Sequence, residues 1–276
     1  MKLTMLGTGH ALVTKCYNTC FTLSEDKDIL LVDAGGGNAI FQRLIDAHID
    51  WRDIKNIYVT HKHVDHVLGI VWMIRLITHT MSHGEYDDSE VRVYAHKQLA
   101  EAIYTLCSML LQPREVKLIG ERLHLVAVAD GQTKDVMGRK MTFFDTHSTK
   151  EKQFGFSMLF ADGRKLTCCG DEPYNEFEKP YAQGSDWLLH EAFCLHAQAD
   201  IYEPYEKNHS TALDAGRVAE ELGVKNLLLY HTEDDTILER KKLYTAEAKQ
   251  AFSGNVFVPD DLESIELLAA PRVSRG

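Results

Sequence analysis

Hydrophobic residues along this chain fall first into short runs of strand length and only later into helical spacing. Lys2–Leu6, Thr19–Leu23 and Asp28–Val32 are apolar-rich runs, followed by the stretch Gly35-Gly36-Gly37 and a helix-like segment, Asn38–His48. The chain therefore opens as a β-meander and then begins to alternate. Strands are expected at Asn56–Thr60 and Val91–Ala95 on either side of a helix near Val67–Met81, and a second helix near Lys97–Leu111 ends before Pro113. The second half repeats the scheme. A strand near Met141–Phe144 precedes a hairpin, Phe154–Phe160 and Lys165–Cys169, turning at Asp162-Gly163, and a strand at Trp187–His190 follows. Thr211-x-x-Asp214 reads as a capping box that opens a helix, Gly223 as its stop, and Asn226–Tyr230 as the next strand. A helix around Ile237–Phe252 and short strands around Val256–Val258 and Glu263–Leu267 come last.

Composition narrows the class. A chain of 276 residues, 45% hydrophobic, can bury a sizeable core in one large domain or two small ones. No Pro/Ser-rich linker or charge block divides it, so residues 1–276 read as a single domain of two similar β-rich halves with helices outside. Thirty Lys and Arg against 41 Asp and Glu leave a net charge of −11, which repels phosphate backbones and confines any nucleic-acid contact to a local patch. Cys16, Cys20, Cys107, Cys168, Cys169 and Cys194 contain no C-x-x-C pair and read as reduced, mostly buried thiols. The N-terminal run is too short in apolar residues for a signal peptide, and Leu68–Ile74 stops at Arg75, far below membrane-spanning length. A soluble cytoplasmic protein with no membrane partner is the expectation.

The chemistry concentrates after the strand at Asn56–Thr60, in His61-Lys62-His63-Val64-Asp65-His66: four ligand-type residues within six positions. Imidazole suits zinc and iron, and a carboxylate tolerates harder metals. Alternate residues leaving a strand end project the same way, so His61 and His63 can share one ion while Asp65 and His66 turn toward a second.

This H-x-H-x-D-H signature resembles that of the metallo-β-lactamase superfamily, which implies an α+β fold, a four-layer α/β/β/α sandwich. Leu31-Val32-Asp33-Ala34-Gly35 is similar to the superfamily's early Asp-x-Gly element, and Thr146-His147-Ser148, Cys169-Gly170-Asp171 and Leu229-Tyr230-His231 follow in the expected order. By this resemblance His61, His63 and His147 hold one ion, Asp65, His66 and His231 hold the other, and Asp171 bridges them. Asp33 is implied to orient the histidine loop by hydrogen bonds. The implied cofactors are two divalent ions, zinc first and Mn²⁺ or Fe²⁺ after it, with Asp65 counted among the catalytic groups. A hydroxide shared by two such ions performs hydrolysis.

Four further segments look like the ribonuclease Z group of phosphodiesterases: Gly7-x-Gly9-x-Ala11, Phe154-Gly155-Phe156, His190-Glu191-Ala192-Phe193 and His209-Ser210-Thr211-Ala212. The likeness implies attack on phosphorus, with Glu191 orienting and charging His209 and His209 protonating a leaving alkoxide. It also implies a homodimer. The substrate expected is a phosphodiester, either a small molecule or single-stranded RNA. One departure stands against tRNA: the long insertion that forms a tRNA-gripping arm in those enzymes is replaced here by the 23 residues Ser148 to Gly170, most of them taken by the hairpin.

The competing readings are a carbonyl-directed hydrolase (lactonase, thioesterase or β-lactamase-like), a di-iron oxidoreductase and a non-catalytic metal-binding sensor. The Glu191–His209 pair favours phosphoryl chemistry over the first. The second usually has a glutamate where His63 stands and needs a flavin domain; the intact ligand set argues against the third. The remaining histidines lack clustered partners and read as ordinary, with His10 closest to the expected site; Arg139, Lys140, Lys150, Lys152, Arg240, Lys241 and Lys242 could make a local phosphate patch but each reads first as a solvated charge. Val67–Ile77 is apolar on more than one helix face, so either a second copy covers part of it or both faces are buried within one chain.

Overall fold

A computed structural model of the protein describes residues 1–267. β1 (Lys2–Gly7), β2 (Cys20–Glu25) and β3 (Asp28–Val32) form the antiparallel meander, and β4 (Ile54–Tyr58), β5 (Val91–His96) and β6 (Leu123–Val128) extend it in parallel. The second sheet repeats this order. β7 (Thr133–Val136), β8 (Arg139–Asp145), β9 (Phe154–Leu159) and β10 (Lys165–Cys168) run antiparallel, and β11 (Trp187–Glu191), β12 (Asn226–Tyr230) and β13 (Asn255–Phe257) run parallel. β14 (Ser264–Glu266) then returns to the first sheet and pairs with β1, Lys2 opposite Glu266. Each sheet has seven strands.

The side-chain period of two sorts these strands between three cores. In β3, Leu30 and Val32 face the space between the sheets, while Ile29 and Leu31 face the helices α1 (Ala39–Asp46), α2 (Val64–Ser82) and α3 (Lys97–Leu110). In β12, Leu228 and Tyr230 face the intersheet core, and Leu227 and Leu229 face the helices Ala212–Glu221 and Arg240–Ala248. Strands buried on both faces read as continuous apolar runs. Three cores separate four layers, helix, sheet, sheet, helix: the metallo-β-lactamase sandwich.

The boundaries differ from the expectation in ways that matter to the site. β4 ends at Tyr58, two residues before the expected strand end, so Val59–His63 is loop; α2 begins at Val64, which puts Asp65 and His66 in its first turn. The last long helix is also shorter, Arg240–Ala248. β6 and β7 were not expected at all. Both are sheet edges: β7 is short and mostly polar and so lacks the apolar run that marks the central strands, whereas β6 does carry one, Leu125–Val128, broken from Leu123 only by His124.

α2 is pressed against the loop after β3. The Gly69 amide donates to the Gly35 carbonyl at 2.8 Å, and a methyl group at residue 69 would collide with the Ala34 carbonyl. Glycine there lets the first turn of α2 approach Asp33 closely. Ile70, Met73, Ile74 and Ile77 of α2 are buried within the chain, whereas Val64, Leu68 and Trp72 stay exposed along one stripe. Among the described residues no helix is long and apolar enough to cross a membrane, and all six cysteines are free.

Candidate metal centre

The expected ligands gather at one end of the sandwich, on loops that follow strands: His61 and His63 after β4, His147 after β8, Asp171 after β10 and His231 after β12. Asp33 follows β3 in the same way. Asp33, His147 and His231 all have left-handed backbones, with φ of 54°, 54° and 58°. Non-glycine residues rarely hold that conformation, and clusters of such strain mark functional sites.

Asp171 lies at the focus. Its Oδ2 atom is 3.4 Å from Nε2 of both His66 and His231 and 3.5 Å from Nε2 of His61. Asp65 Oδ2 stands 3.4 Å from His66 Nε2 and 3.7 Å from His231 Nε2, and His63 Nδ1 is 2.8 Å from His61 Nε2. Two donor groups result: His61, His66 and Asp171, and Asp65, His66 and His231.

Asp33 sets which nitrogen of each ring is free. Its Oδ2 accepts from His66 Nδ1 at 2.8 Å and from the Thr60 hydroxyl at 2.8 Å, and its Oδ1 accepts from the Thr60 amide at 2.9 Å. With its own hydrogen given to Asp33, the Thr60 oxygen accepts from His61 Nδ1, 3.0 Å away. One buried carboxylate thus holds the Nδ1 hydrogen of His66 directly and orients His61 through Thr60, so that the Nε2 atoms of both rings face Asp171.

The charge states follow from burial and neighbours. Burial holds His61 well below its ordinary pKa and His231 below it. His66 feels the same burial, but Asp65 and Asp33 outweigh it and raise its pKa. For the carboxyls burial acts upward and loses: His66 and His231 hold Asp65, and His61, His66 and His231 hold Asp171, below the usual carboxylate range. Anionic carboxylates beside neutral His61 and His231 are the protonation states that bind a cation, and His66, which Asp65 and Asp33 favour as protonated, must release its Nε2 proton for a cation to take its place. The buried His66 Nε2 and both nitrogens of His231 have no hydrogen-bond partner, which a protein interior rarely tolerates. Divalent ions at this focus would satisfy the Nε2 atoms, so the donor set fits a metal.

Beside the focus, Glu191 is fully buried, its Oε2 accepting from the Phe193 amide at 3.0 Å and its Oε1 from the Ser210 amide. That carboxylate faces His209 Nδ1 at 3.5 Å. Burial lowers the affinity of His209 for a proton, Glu191 more than restores it, and the net pKa is raised. Phe193 stacks flat on the His209 ring, with centroids 4.6 Å apart. Glu191, His209 and His231 also offer donor atoms close enough together to hold an ion.

His147 is not brought into either group. Its ring is exposed and stacks on Phe177 with centroids 4.0 Å apart, so the expected trio of His61, His63 and His147 is not assembled. Next to His61 stands Gln153, buried, with Nε2 3.0 Å from His61 Nδ1 and donating to Asp171 Oδ1. A cavity of about 450 Å³ opens over the focus, lined by Asp65, Asp171, His209 and His231 together with His10, Lys62, Lys150 and Glu172. His10 pairs with Glu233 at 3.2 Å. Of these additions, His10 was near the expected site, Glu172 adjoins Asp171 in sequence and Lys150 was one of several basic residues open to a phosphate contact; nothing in the local sequence of Gln153 marks it.

Relatives share this architecture. The chain is 24% identical to ribonuclease Z of Streptococcus gordonii, over 97% of this chain and all of that protein. It is 26% identical to ribonuclease Z of Bacillus subtilis, over 95% and 98%. Among solved structures, the metallo-β-lactamase fold protein YhfI of Bacillus subtilis superposes with a TM-score of 0.77 at 19% identity, covering 96% of this chain and 98% of that one. The short form of human tRNase Z gives 0.73 at 20% identity, covering 98% and 100%. The family model described as Anti-Pycsar protein Apyc1 matches residues 1–237, and the chain belongs to that family, a ribonuclease Z-like member of the metallo-β-lactamase superfamily.

Proposed function

We propose that the chain is a metal-dependent phosphodiesterase of ribonuclease Z type, a single-domain cytoplasmic hydrolase acting on a small or single-stranded phosphodiester. The observation that carries this reading is the convergence of three imidazole Nε2 atoms on one oxygen of Asp171, with the Glu191–His209 pair beside the same cavity. In this reading His61, His63 and His147 would hold one divalent ion and Asp65, His66 and His231 a second, with Asp171 available to both. His147 joins the set only when its ring leaves Phe177. The imidazole-rich donors favour zinc over Mn²⁺ or Fe²⁺. Ions bound there supply an acidified water and polarise the phosphoryl oxygens.

The chain's own groups do the rest. Two backbone amides pin Glu191, the Glu191 carboxylate faces His209 Nδ1 at 3.5 Å and favours the protonated ring, and Nε2 of His209 gives its proton to the leaving oxygen. A cavity of about 450 Å³ suits a small molecule. The stretch from Ser148 to Gly170 is largely occupied by β9, β10 and their turn, which supports a compact substrate over a tRNA body. The family's description makes its members anti-Pycsar proteins, and we take the diesterase to act in that role. The exposed stripe Val64, Leu68 and Trp72 supports a homodimer joined along α2; sedimentation as a monomer at micromolar concentration would remove that part of the reading.

The decisive test combines metal content with a substrate panel: bis(p-nitrophenyl) phosphate, 2′,3′- and 3′,5′-cyclic nucleotides, precursor tRNA, a lactone and a β-lactam. About two ions per chain are expected, with turnover of diesters only and both metal and activity lost in His63→Ala. Turnover confined to the carbonyl substrates, or an unchelated protein that binds no metal, overturns the reading.

A further inference from the structure

The cavity has two lysines on its wall, Lys62 and Lys150, and their surroundings differ. Lys62 Nζ is neutralised by Glu151 Oε2 at 2.7 Å. Among the described residues Lys150 has no carboxylate at ion-pair distance; its Nζ lies 3.4 Å from His209 Nε2. The nearby carboxylates are otherwise engaged. Asp65 and Asp171 face histidines, and Glu172 Oε1 accepts from the Ser148 hydroxyl at 2.5 Å.

The position of Lys150 is held by its neighbours. Residues 148–151, of which Lys150 lines the cavity, are tied to three different loops. Ser148 binds the segment after Asp171, Asn208 Nδ2 donates to Thr149 Oγ1 at 2.7 Å, and Glu151 binds Lys62 in the histidine loop. The Ser148 hydroxyl also accepts from the Lys150 and Glu151 amides, at 3.2 and 3.1 Å. These ties fix the backbone from which the exposed Lys150 side chain reaches, and its ammonium stands next to the nitrogen that faces the leaving group, with no carboxylate of the described residues at ion-pair distance.

We propose that Lys150 is the anion-binding corner of this cavity, taking a non-bridging oxygen of a singly charged phosphodiester beside the leaving oxygen that His209 protonates. The proposal rests on the diesterase reading above and adds a specificity to it: the charge at this corner selects anionic diesters over neutral esters with the same leaving group. A carbonyl substrate brings no charge to the corner and gains nothing from it. The contact is a charge-assisted hydrogen bond at a partly exposed site, worth about ten- to a hundred-fold in affinity.

The test compares bis(p-nitrophenyl) phosphate with its neutral methyl triester, which has the same leaving group, in the metal-loaded wild type and in Lys150→Gln and Lys150→Arg. Lys150→Gln is expected to lose about ten- to a hundred-fold in kcat/KM on the diester, chiefly through KM, and less than about two-fold on the triester. Lys150→Arg should keep most of the diester activity, and metal content should be equal in all three. Titration with inorganic phosphate is the second readout; its Kd should weaken by a similar factor in the Gln variant and recover in the Arg variant. Equal losses on the two esters, or no loss on the diester, overturn the proposal. If the wild type hydrolyses neither ester, the diesterase reading itself fails; the phosphate titration then still decides, and an equal Kd in wild type and Lys150→Gln overturns the anion corner.

Discussion

From the first sheet, His61, His63, Asp65 and His66 arrive on one continuous loop and helical turn, and Asp33 orients two of them. From the second sheet, His147, Asp171 and His231 arrive singly, each at the end of a different strand. Neighbours in sequence need only local backbone geometry and one shared acceptor to converge. Separated donors depend on the packing of whole strands, and each can be displaced without the others, as His147 is by Phe177. The contrast is one of support: Asp33 serves two histidines, while both nitrogens of His231 lack a partner altogether.

The sharpest probe of that contrast is His209, a residue of the second half that does have a buried carboxylate partner. His209→Ala should retain both metals and lose about 10²–10⁴-fold in rate on a diester with an alkoxide leaving group. With p-nitrophenolate, which departs unprotonated, the loss should be much smaller. A metal missing from the variant would instead make His209 a ligand, in line with its closeness to Glu191 and His231.

Next in size is the node itself. Asp33→Ala removes the acceptor of His66 Nδ1 and of Thr60 together, and loss of such an outer partner typically costs about 10–100-fold in metal affinity. Gln153→Ala, beside His61 and Asp171, should cost at most about a tenth of that. Competition with a chelating dye measures both, and equal losses would erase the distinction between the two sides of the centre.

The smallest effect concerns His147. Leaving Phe177 forfeits an aromatic stack of about 0.5–1.5 kcal/mol, so Phe177→Ala should tighten the more weakly held ion by roughly two- to ten-fold. His147→Ala should weaken it. If Phe177→Ala leaves affinity unchanged while His147→Ala lowers it, the outward ring costs the centre nothing.

The same division decided what could be read before the fold was known. The run His61 to His66 declares itself because its members are contiguous, and β3 and β12 declare themselves because strands buried on both faces are apolar throughout. The edge strand β7 hides because it is short and mostly polar, whereas β6 was legible in the apolar run Leu125–Val128 and was passed over. Gln153 reaches His61 across 92 positions, and Lys150 meets His209 across 59, so their surroundings exist only once the sheets are stacked. Asp33 is intermediate: an Asp-x-Gly element suggests a support, but its hold on two ring tautomers at once required the geometry of Thr60.

The return of β14 to β1 bears on how the protein is made. Lys2 and its partner Glu266 lie at opposite ends of the described chain, so during synthesis this edge of the first sheet has no partner strand until residues 264–266 have been made. Bare strand edges invite pairing with other chains, and contacts this distant form slowly. A chain stalled near residue 250 should therefore present that edge to chaperones while the histidine loop is already complete.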